Sequence, residues 1–199
     1  MSKAFTLIEL MIVIVIIGII SLIAMPGISR WYTGFQEKSV ADNIVNTLVT
    51  ARMKAISSNK NQIVVFNTQN NTYYTINDKD NDCVTLQQVA NNSCVQAGEQ
   101  GPINTMPSTI QFGYVPTSNI VPAQFSSIMP SPSACTFCSG NIGAIEFNSA
   151  GKAFDMSNPG AQGGAIVVIP SKDLANNDPS REIIIGFISM TGLVESFGR

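Results

Sequence analysis

From residue 5 to residue 25 the chain is an apolar run in which Glu9 is the only charged side chain. At about 1.5 Å per residue such a run makes a helix roughly 30 Å long, the thickness of a bilayer core. Pro26 and Gly27 follow and would break a helix in water. Arg30, Trp31 and Tyr32 come next, side chains suited to a membrane–water interface. Helical periodicity then resumes. Val40, Ile44 and Leu48 step by four along one ridge, continued by Ala51 and Ala55, with Val45, Val49, Met53 and Ile56 on an adjacent ridge. Glu37, Asp42, Asn46, Thr50 and Lys54 take the opposite face. Residues 27–58 are thus predicted to be an amphipathic continuation of the helix, half-buried on a sheet and ending near residues 57–59.

From residue 59 the pattern becomes that of strands. Residues 62–67 and 72–76 flank Thr68-Gln69-Asn70-Asn71 and predict a hairpin. Further strands are expected over 83–89, 109–115, 143–147, 153–154, 165–169, 182–189 and 193–196, with turns at 148–151 and 190–192. Six of the ten prolines fall within residues 97–141, which predicts a loop-rich insertion, stapled rather than deeply cored. The expected class is α+β: a long N-terminal helix, membrane-spanning in its first half, packs its second half on an antiparallel sheet or sandwich spanning 59–199.

A carboxylate inside a membrane helix costs a few kcal/mol or more, so Glu9 needs a partner. Residues 1–4 are too short for a secretory n-region and h-region, and a signal peptidase cuts after an apolar run, not before it. A cut between Ala4 and Phe5 would instead expose an amine four residues from Glu9. Glu9 lies near the first helical turn, where the dipole favours an anion. In a bundle of similar helices staggered by about a turn, Glu9 could take the terminal amine of a neighbour and cancel two charges that are costly in lipid.

Phe5-Thr6-Leu7-Ile8-Glu9 before a long apolar helix resembles the N-terminus of type IV pilins and type II secretion pseudopilins. The resemblance implies a leader over residues 1–4, its removal by an inner-membrane prepilin peptidase, N-methylation of Phe5, and filament assembly directed by Glu9. The family's leader normally ends in Gly, whereas Ala4 stands here. A proline at the position of Pro26 is usual in such helices, and the resemblance makes Pro26 and Gly27 the site of a bend or melted stretch in the filament. It further implies a cytoplasmic N-terminus, a periplasmic globular domain, and as partners other subunits, an assembly platform and membrane lipid. The flanking charges, Lys3 on one side and Arg30 and Lys38 on the other, do not decide orientation by themselves.

The element order resembles the GspH/FimT-type minor pseudopilins and minor pilins. Three stretches are similar in kind: Ala51-Arg52-Met53-Lys54-Ala55, Ile145-Glu146-Phe147-Asn148-Ser149-Ala150-Gly151, and Ile188-Ser189-Met190-Thr191-Gly192-Leu193-Val194. This implies a minor filament subunit placed at or near the tip, where assembly is initiated.

Composition narrows the chemistry. Histidine is absent, which removes Ser-His-Asp and Cys-His catalysis and histidine-containing zinc sites. There is no P-loop and no dinucleotide fingerprint, Glu146 and Asp155 read as surface carboxylates, and neither enzymatic activity nor a cofactor is expected. A net charge of −2 exerts no general pull on nucleic acid. DNA-binding FimT-type subunits carry a basic Gly-Arg-x-Arg turn near the C-terminus. Here that turn reads Gly192-Leu193-Val194-Glu195, so a DNA-uptake role is the lesser alternative.

Cys83, Cys94, Cys135 and Cys138 are even in number and suit an oxidising compartment. Cys135-Thr136-Phe137-Cys138 permits a periplasmic redox reading, but no thioredoxin-like unit surrounds it. Two structural disulfides are expected. Spacing favours Cys83–Cys94 and Cys135–Cys138, each closing a short loop, with a crossed pairing left open. Asp78, Asp80 and Asp82 begin like a calcium loop, but lack the glycine and closing glutamate of an EF-hand. A solvated acidic turn is the plainer reading, and no metal is expected.

Overall fold

The computed structural model describes residues 6–116 and 133–198, the side chains of residues 22–30 excepted. The chain divides into two compact units, Met1–Phe35 and Gln36–Arg199. Helix α1, Leu7–Ser58, runs through the dividing point. Among the described residues ten strands follow: β1 Asn61–Asn67, β2 Thr72–Asp78, β3 Asn104–Thr105, β4 Ile110–Phe112, β5 Cys138–Ser139, β6 Ile142–Phe147, β7 Ala153–Asp155, β8 Gly163–Pro170, β9 Ile183–Ile188 and β10 Leu193–Gly198. Two short helices, α2 Leu86–Ala90 and α3 Ser171–Ala175, and a 3-10 turn at Pro179–Arg181 lie between them. All pairings are antiparallel. One sheet has the order β3-β2-β1-β6-β5, with β7 also on β6, and the second has the order β10-β9-β8-β4. The α+β class is therefore present.

In the larger unit, α1 buries the stripe Val40, Ala41, Ile44, Leu48, Ala51 and Ala55. The alanines bring its backbone close to the sheets. The adjacent ridge follows it inward only at Val45, which packs half-buried against the core, while Val49, Met53 and Ile56 stay 37%, 57% and 50% exposed. Against the stripe lie Val64, Phe66 and Phe147 of the first sheet and Ile166, Val168, Ile185 and Phe187 of the second.

Each sheet is also covered on its far face, which explains why β1 is buried at five consecutive positions and β8 at all eight. Ile63 and Val65 of β1 turn away from α1 and pack with Ile76, Leu86, Val89, Met156 and the Cys83–Cys94 pair. Residues 83–89, expected as a strand, supply that cover as a disulfide-closed loop carrying α2. Val84 and Leu86, alternating with Thr85 and Gln87, suggest a strand, but Val89 falls out of that alternation. The competing signal is Thr85-Leu86-Gln87-Gln88, a capping box. Thr85 Oγ1 accepts from the Gln88 N–H at 3.3 Å, while Gln88 Oε1 accepts from the Thr85 N–H at 2.9 Å.

The insertion over 97–141 is cored, contrary to expectation. Met106, Ile110, Phe112, Val115 and Phe137 are all buried. Residues 117–132 of that span lie outside the described residues. The Cys135–Cys138 loop joins the two sheets: Cys135 bridges to Ile166 on β8, while Cys138 pairs with Gly143 on β6. Phe137 between them enters the core and meets Phe66 and Phe187 edge-on, with both centroid separations 5.6 Å. Gly143 and Gly164 make room for it, since a Cβ at either would come within about 3 Å of the Phe137 ring.

Glu37 also departs from expectation. Placed on the polar face by periodicity, it is only 3% exposed, and its Oε1 has no hydrogen-bond partner. Burial pushes its pKa from 4.5 up to about 8, with Arg181 pulling it down and Asp173 and Glu182 pushing it further up. Asp173 is paired with Arg181 through Nε at 2.5 Å and Nη2 at 2.6 Å, and Glu182 Oε1 accepts from the Val115 N–H at 2.5 Å. Asp155, read as a surface acid, is buried as well. Its Oδ1 caps a turn by accepting from the Ser157 N–H and hydroxyl, both at 2.7 Å, and from the Asn158 N–H.

Two outcomes follow from this packing. Phe137→Ala should lower unfolding free energy by roughly 3–5 kcal/mol, the range for a large aromatic removed from a rigid core, measured by chemical denaturation. Glu37 holds in the folded state a proton that the unfolded chain releases. Its contribution to stability is complete below the unfolded value of 4.5 and lost as pH rises through about 8. Glu37→Gln should therefore raise the melting temperature at pH 8–9, by an equivalent of roughly 1–3 kcal/mol, and leave it nearly unchanged near pH 4.

Candidate functional site

The N-terminal segment begins with a local cap. The Thr6 N–H and hydroxyl both donate to Glu9 Oε2, at 3.4 and 3.3 Å, and the Glu9 N–H donates back to Thr6 Oγ1 at 3.3 Å. Thr6-Leu7-Ile8-Glu9 is a capping-box spacing, a signal carried by the sequence beside the motif itself. It starts α1 at Leu7 and places the Glu9 carboxylate at the positive end of the helix.

The helix that follows is apolar all round and uncovered. Leu7, Ile8, Leu10, Met11, Ile12, Ile14 and Ile16 are among its side chains, each at least half exposed. An apolar surface of this kind in water would cost about 25 cal/mol per Å², so it demands lipid or other helices around it. Among the described residues, no helix is long and apolar enough to cross a membrane. The part of the expected span whose side chains are described, residues 7–21, is roughly 22 Å long, short of the roughly 30 Å required. Ala4 and Phe5 lie outside the described residues. Pro26 and Gly27 fall within α1, their side chains outside the description. Trp31, Tyr32 and Phe35 stand 72%, 55% and 66% exposed.

At the other end of α1, the three stretches similar to minor pilins converge on one side chain. Arg52 Nε donates to the Gly151 carbonyl at 3.0 Å and Nη2 donates to the Thr191 carbonyl at 2.7 Å. The helix end thus holds the turns after β6 and β9. Gly151 and Gly192 have φ of 74° and 61°, and a Cβ on Gly192 would collide with the Gly151 carbonyl and the Arg52 side chain. Periodicity does not single out Arg52, because its role lies in contacts with residues 99 and 139 positions away.

The cysteines pair as Cys83–Cys94 and Cys135–Cys138, with Cα atoms 5.1 and 5.5 Å apart. These are the two local closures that spacing favours. Asp82, Cys83 and Cys94 lie together, but both sulfurs are tied up in the disulfide and offer no thiolate to a metal. Asp78, Asp80 and Asp82 also come together, with one carboxylate oxygen from each within 4.8 Å of the others. Glu99, which no pattern in the sequence singles out, lies behind them. It is buried and accepts from the Lys79 N–H at 3.0 Å and the Gln96 N–H at 2.8 Å.

Residues 1–25 match the family model described as the prokaryotic N-terminal methylation motif. No curated protein matches the chain. Two solved structures of the minor pseudopilin EpsH from the type II secretion system of Vibrio cholerae are similar to it. One has 10% identity and a TM-score of 0.47, covering 82% of this chain and 97% of that one. The other has 11% identity and a TM-score of 0.45, covering 82% and 94%. Residues 1–25 of this chain carry the prokaryotic N-terminal methylation motif, with Glu9 as the one charged side chain between residues 5 and 25.

Proposed function

We propose that the chain is a minor subunit of a type IV pilus-like or type II secretion filament, anchored in the inner membrane until it is recruited. The observation that carries this reading is the methylation motif on residues 1–25 joined to an uncovered apolar first segment of α1 whose single carboxylate is Glu9. A prepilin peptidase cuts between Ala4 and Phe5 and methylates the new amine. The apolar helix over residues 5–26 spans the membrane, with the globular unit on the periplasmic side. An assembly platform then draws the subunit into a helical bundle. Glu9 of one subunit accepts the Phe5 amine of its neighbour, so neither charge remains alone in an apolar setting.

The capping geometry fits that step. Both Thr6 bonds fall on Glu9 Oε2, and a carboxylate has lone pairs for further donors. The carboxylate is thus already oriented at the helix end where a neighbour's amine would arrive. Subunits in this position work by starting assembly at or near the tip.

Glu9→Ala should be synthesised, inserted and processed at normal levels, yet its incorporation into filaments should fall at least about tenfold, the equivalent of one lost charge pair of about 1.4 kcal/mol or more. Membrane fractionation and filament shearing followed by immunoblotting read the two quantities. Mass spectrometry of the native protein should show an N-methylated Phe5 as first residue. An intact Met1, or normal incorporation of the Ala variant, overturns the reading.

A further inference from the structure

Beside the disulfide-closed loop, the far face of the first sheet is left partly open. Ile63, Val65 and Asn67 of β1 alternate onto that face, and Asn67 pairs across to Ile142 of β6. The loop carrying α2 covers the first two. At the third a groove of about 740 Å³ opens, within the roughly 300–1,000 Å³ of sites that hold small ligands. Leu86, Ile142 and Met156 give it an apolar part, and carboxamides of Asn67, Gln69, Gln87 and Asn141 give it a polar one. Among the described residues, no charged side chain lines it. The amides are held in place from behind. Asn67 Oδ1 accepts from the Gln69 and Asn70 N–H groups at 3.1 and 3.0 Å, which leaves its NH2 group without a partner among the described residues. The Asn141 side-chain amide donates to Gln69 Oε1 at 3.1 Å, which leaves Asn141 Oδ1 as an acceptor and the Gln69 NH2 group as a donor. The Thr68 N–H donates to the Asn141 main-chain carbonyl at 2.8 Å, so the two turns form one wall. Gln87 stands on α2, which the capping box and the Cys83–Cys94 disulfide fix.

We propose that this groove binds a short neutral oligosaccharide. A site of carboxamides without a charge offers nothing to offset the desolvation of a phosphate or a carboxylate. Sugar hydroxyls both donate and accept, which matches a wall that presents donors and acceptors side by side. The C–H faces of a sugar ring suit Leu86, Ile142 and Met156. An extended peptide would instead need a free main-chain ladder. At the groove β1 and β6 have none to offer, because Asn67 pairs with both Thr72 and Ile142, and Ile142 pairs with both Asn67 and Ser139. Among the described residues, no aromatic ring lines the groove, so stacking adds nothing and the dissociation constant should be about 1 mM. The walls are fixed before a ligand arrives, so binding orders little of the chain.

The test uses the full chain in micelles of a zwitterionic detergent that has no sugar headgroup. Saturation-transfer NMR is recorded with maltotriose, with the trimer of N-acetylglucosamine and, as the peptide arm, with trialanine blocked at both ends. At least one trisaccharide should receive saturation from the protein, and the blocked peptide should not. The paired substitution Gln69→Ala with Gln87→Ala changes only exposed side chains and should weaken binding at least about tenfold, the loss expected for two hydrogen bonds. Its melting temperature should stay at the wild-type value, which separates a lost contact from a lost fold. Asn46→Ala, on the exposed face of α1, should leave binding unchanged. Saturation of neither trisaccharide, affinity unchanged in the paired variant, or transfer to the peptide as strong as to the sugars overturns the site. Any of these leaves the reading of the N-terminal helix untouched.

Discussion

The globular unit depends on one close approach: a narrow stripe of α1, half of it alanine, set against two antiparallel sheets at once. Ala41, Ala51 and Ala55 are almost completely buried beside Val40, Ile44 and Leu48. Small side chains let the helix backbone come near, and the volume they leave is taken by aromatic rings from the sheets. Tyr73, Phe66, Phe137 and Phe187 form a continuous row of ring contacts from one sheet to the other. Each ring has its neighbours at 5.6–6.1 Å, within the range where edge and offset contacts are favourable. A larger residue at any of the three alanines would move the helix off that row.

The elements with a strong local signature are legible in the residues alone: the ridge at Val40, Ile44 and Leu48, the hairpin about residues 68–71, and the late strands. The others are decided by contacts across the chain or by competing local signals. Phe137 sits in a Cys-x-x-Cys segment rich in small and polar neighbours, and nothing local announces that glycines at 143 and 164 leave a slot for its ring. Glu37 carries the wrong polarity for its position, and only the tertiary fold places it beside Arg181, Glu182 and Asp173. The strand expected over 83–89 gives way to a capping box, stabilised further by a disulfide. In the N-terminal segment the apolar run and its carboxylate stand out, and they mask the Thr6–Glu9 capping spacing that the same stretch carries.

The acids of this chain are unevenly placed. Asp78, Glu37, Glu182 and Asp155 are buried, in a protein with few charges to balance them. Their pairing differs in kind. Asp155 is held by three donors in a tight turn. Glu182 shares its neighbourhood with a bidentate Arg181–Asp173 pair, yet its Oε2 is unpartnered, as are Glu37 Oε1 and Asp78 Oδ2. A buried carboxyl without a partner either keeps its proton or recruits a cation. Glu37 takes the first course, since burial outweighs Arg181. Burial pushes the Asp78 carboxyl in the same direction, against the pull of the Asp82 and Cys83 N–H groups.

Glu9 presents the same problem in a different medium. In water its carboxylate is well served by the Thr6 cap and the helix end, and an exposed Glu there needs nothing more. The residues around it change the terms. Apart from Thr6, every described neighbour along the first turns is apolar and exposed, so whatever covers them also takes water from Glu9. Once water is removed, the cap's two neutral donors do not offset the loss of hydration of a full charge, whereas an ammonium group does. On the function proposed, a helix that needs apolar cover on all sides, and a cation at one point near its N-terminus, calls for a partner that supplies both. Similar helices with free N-terminal amines meet that description, and bare lipid meets only half of it.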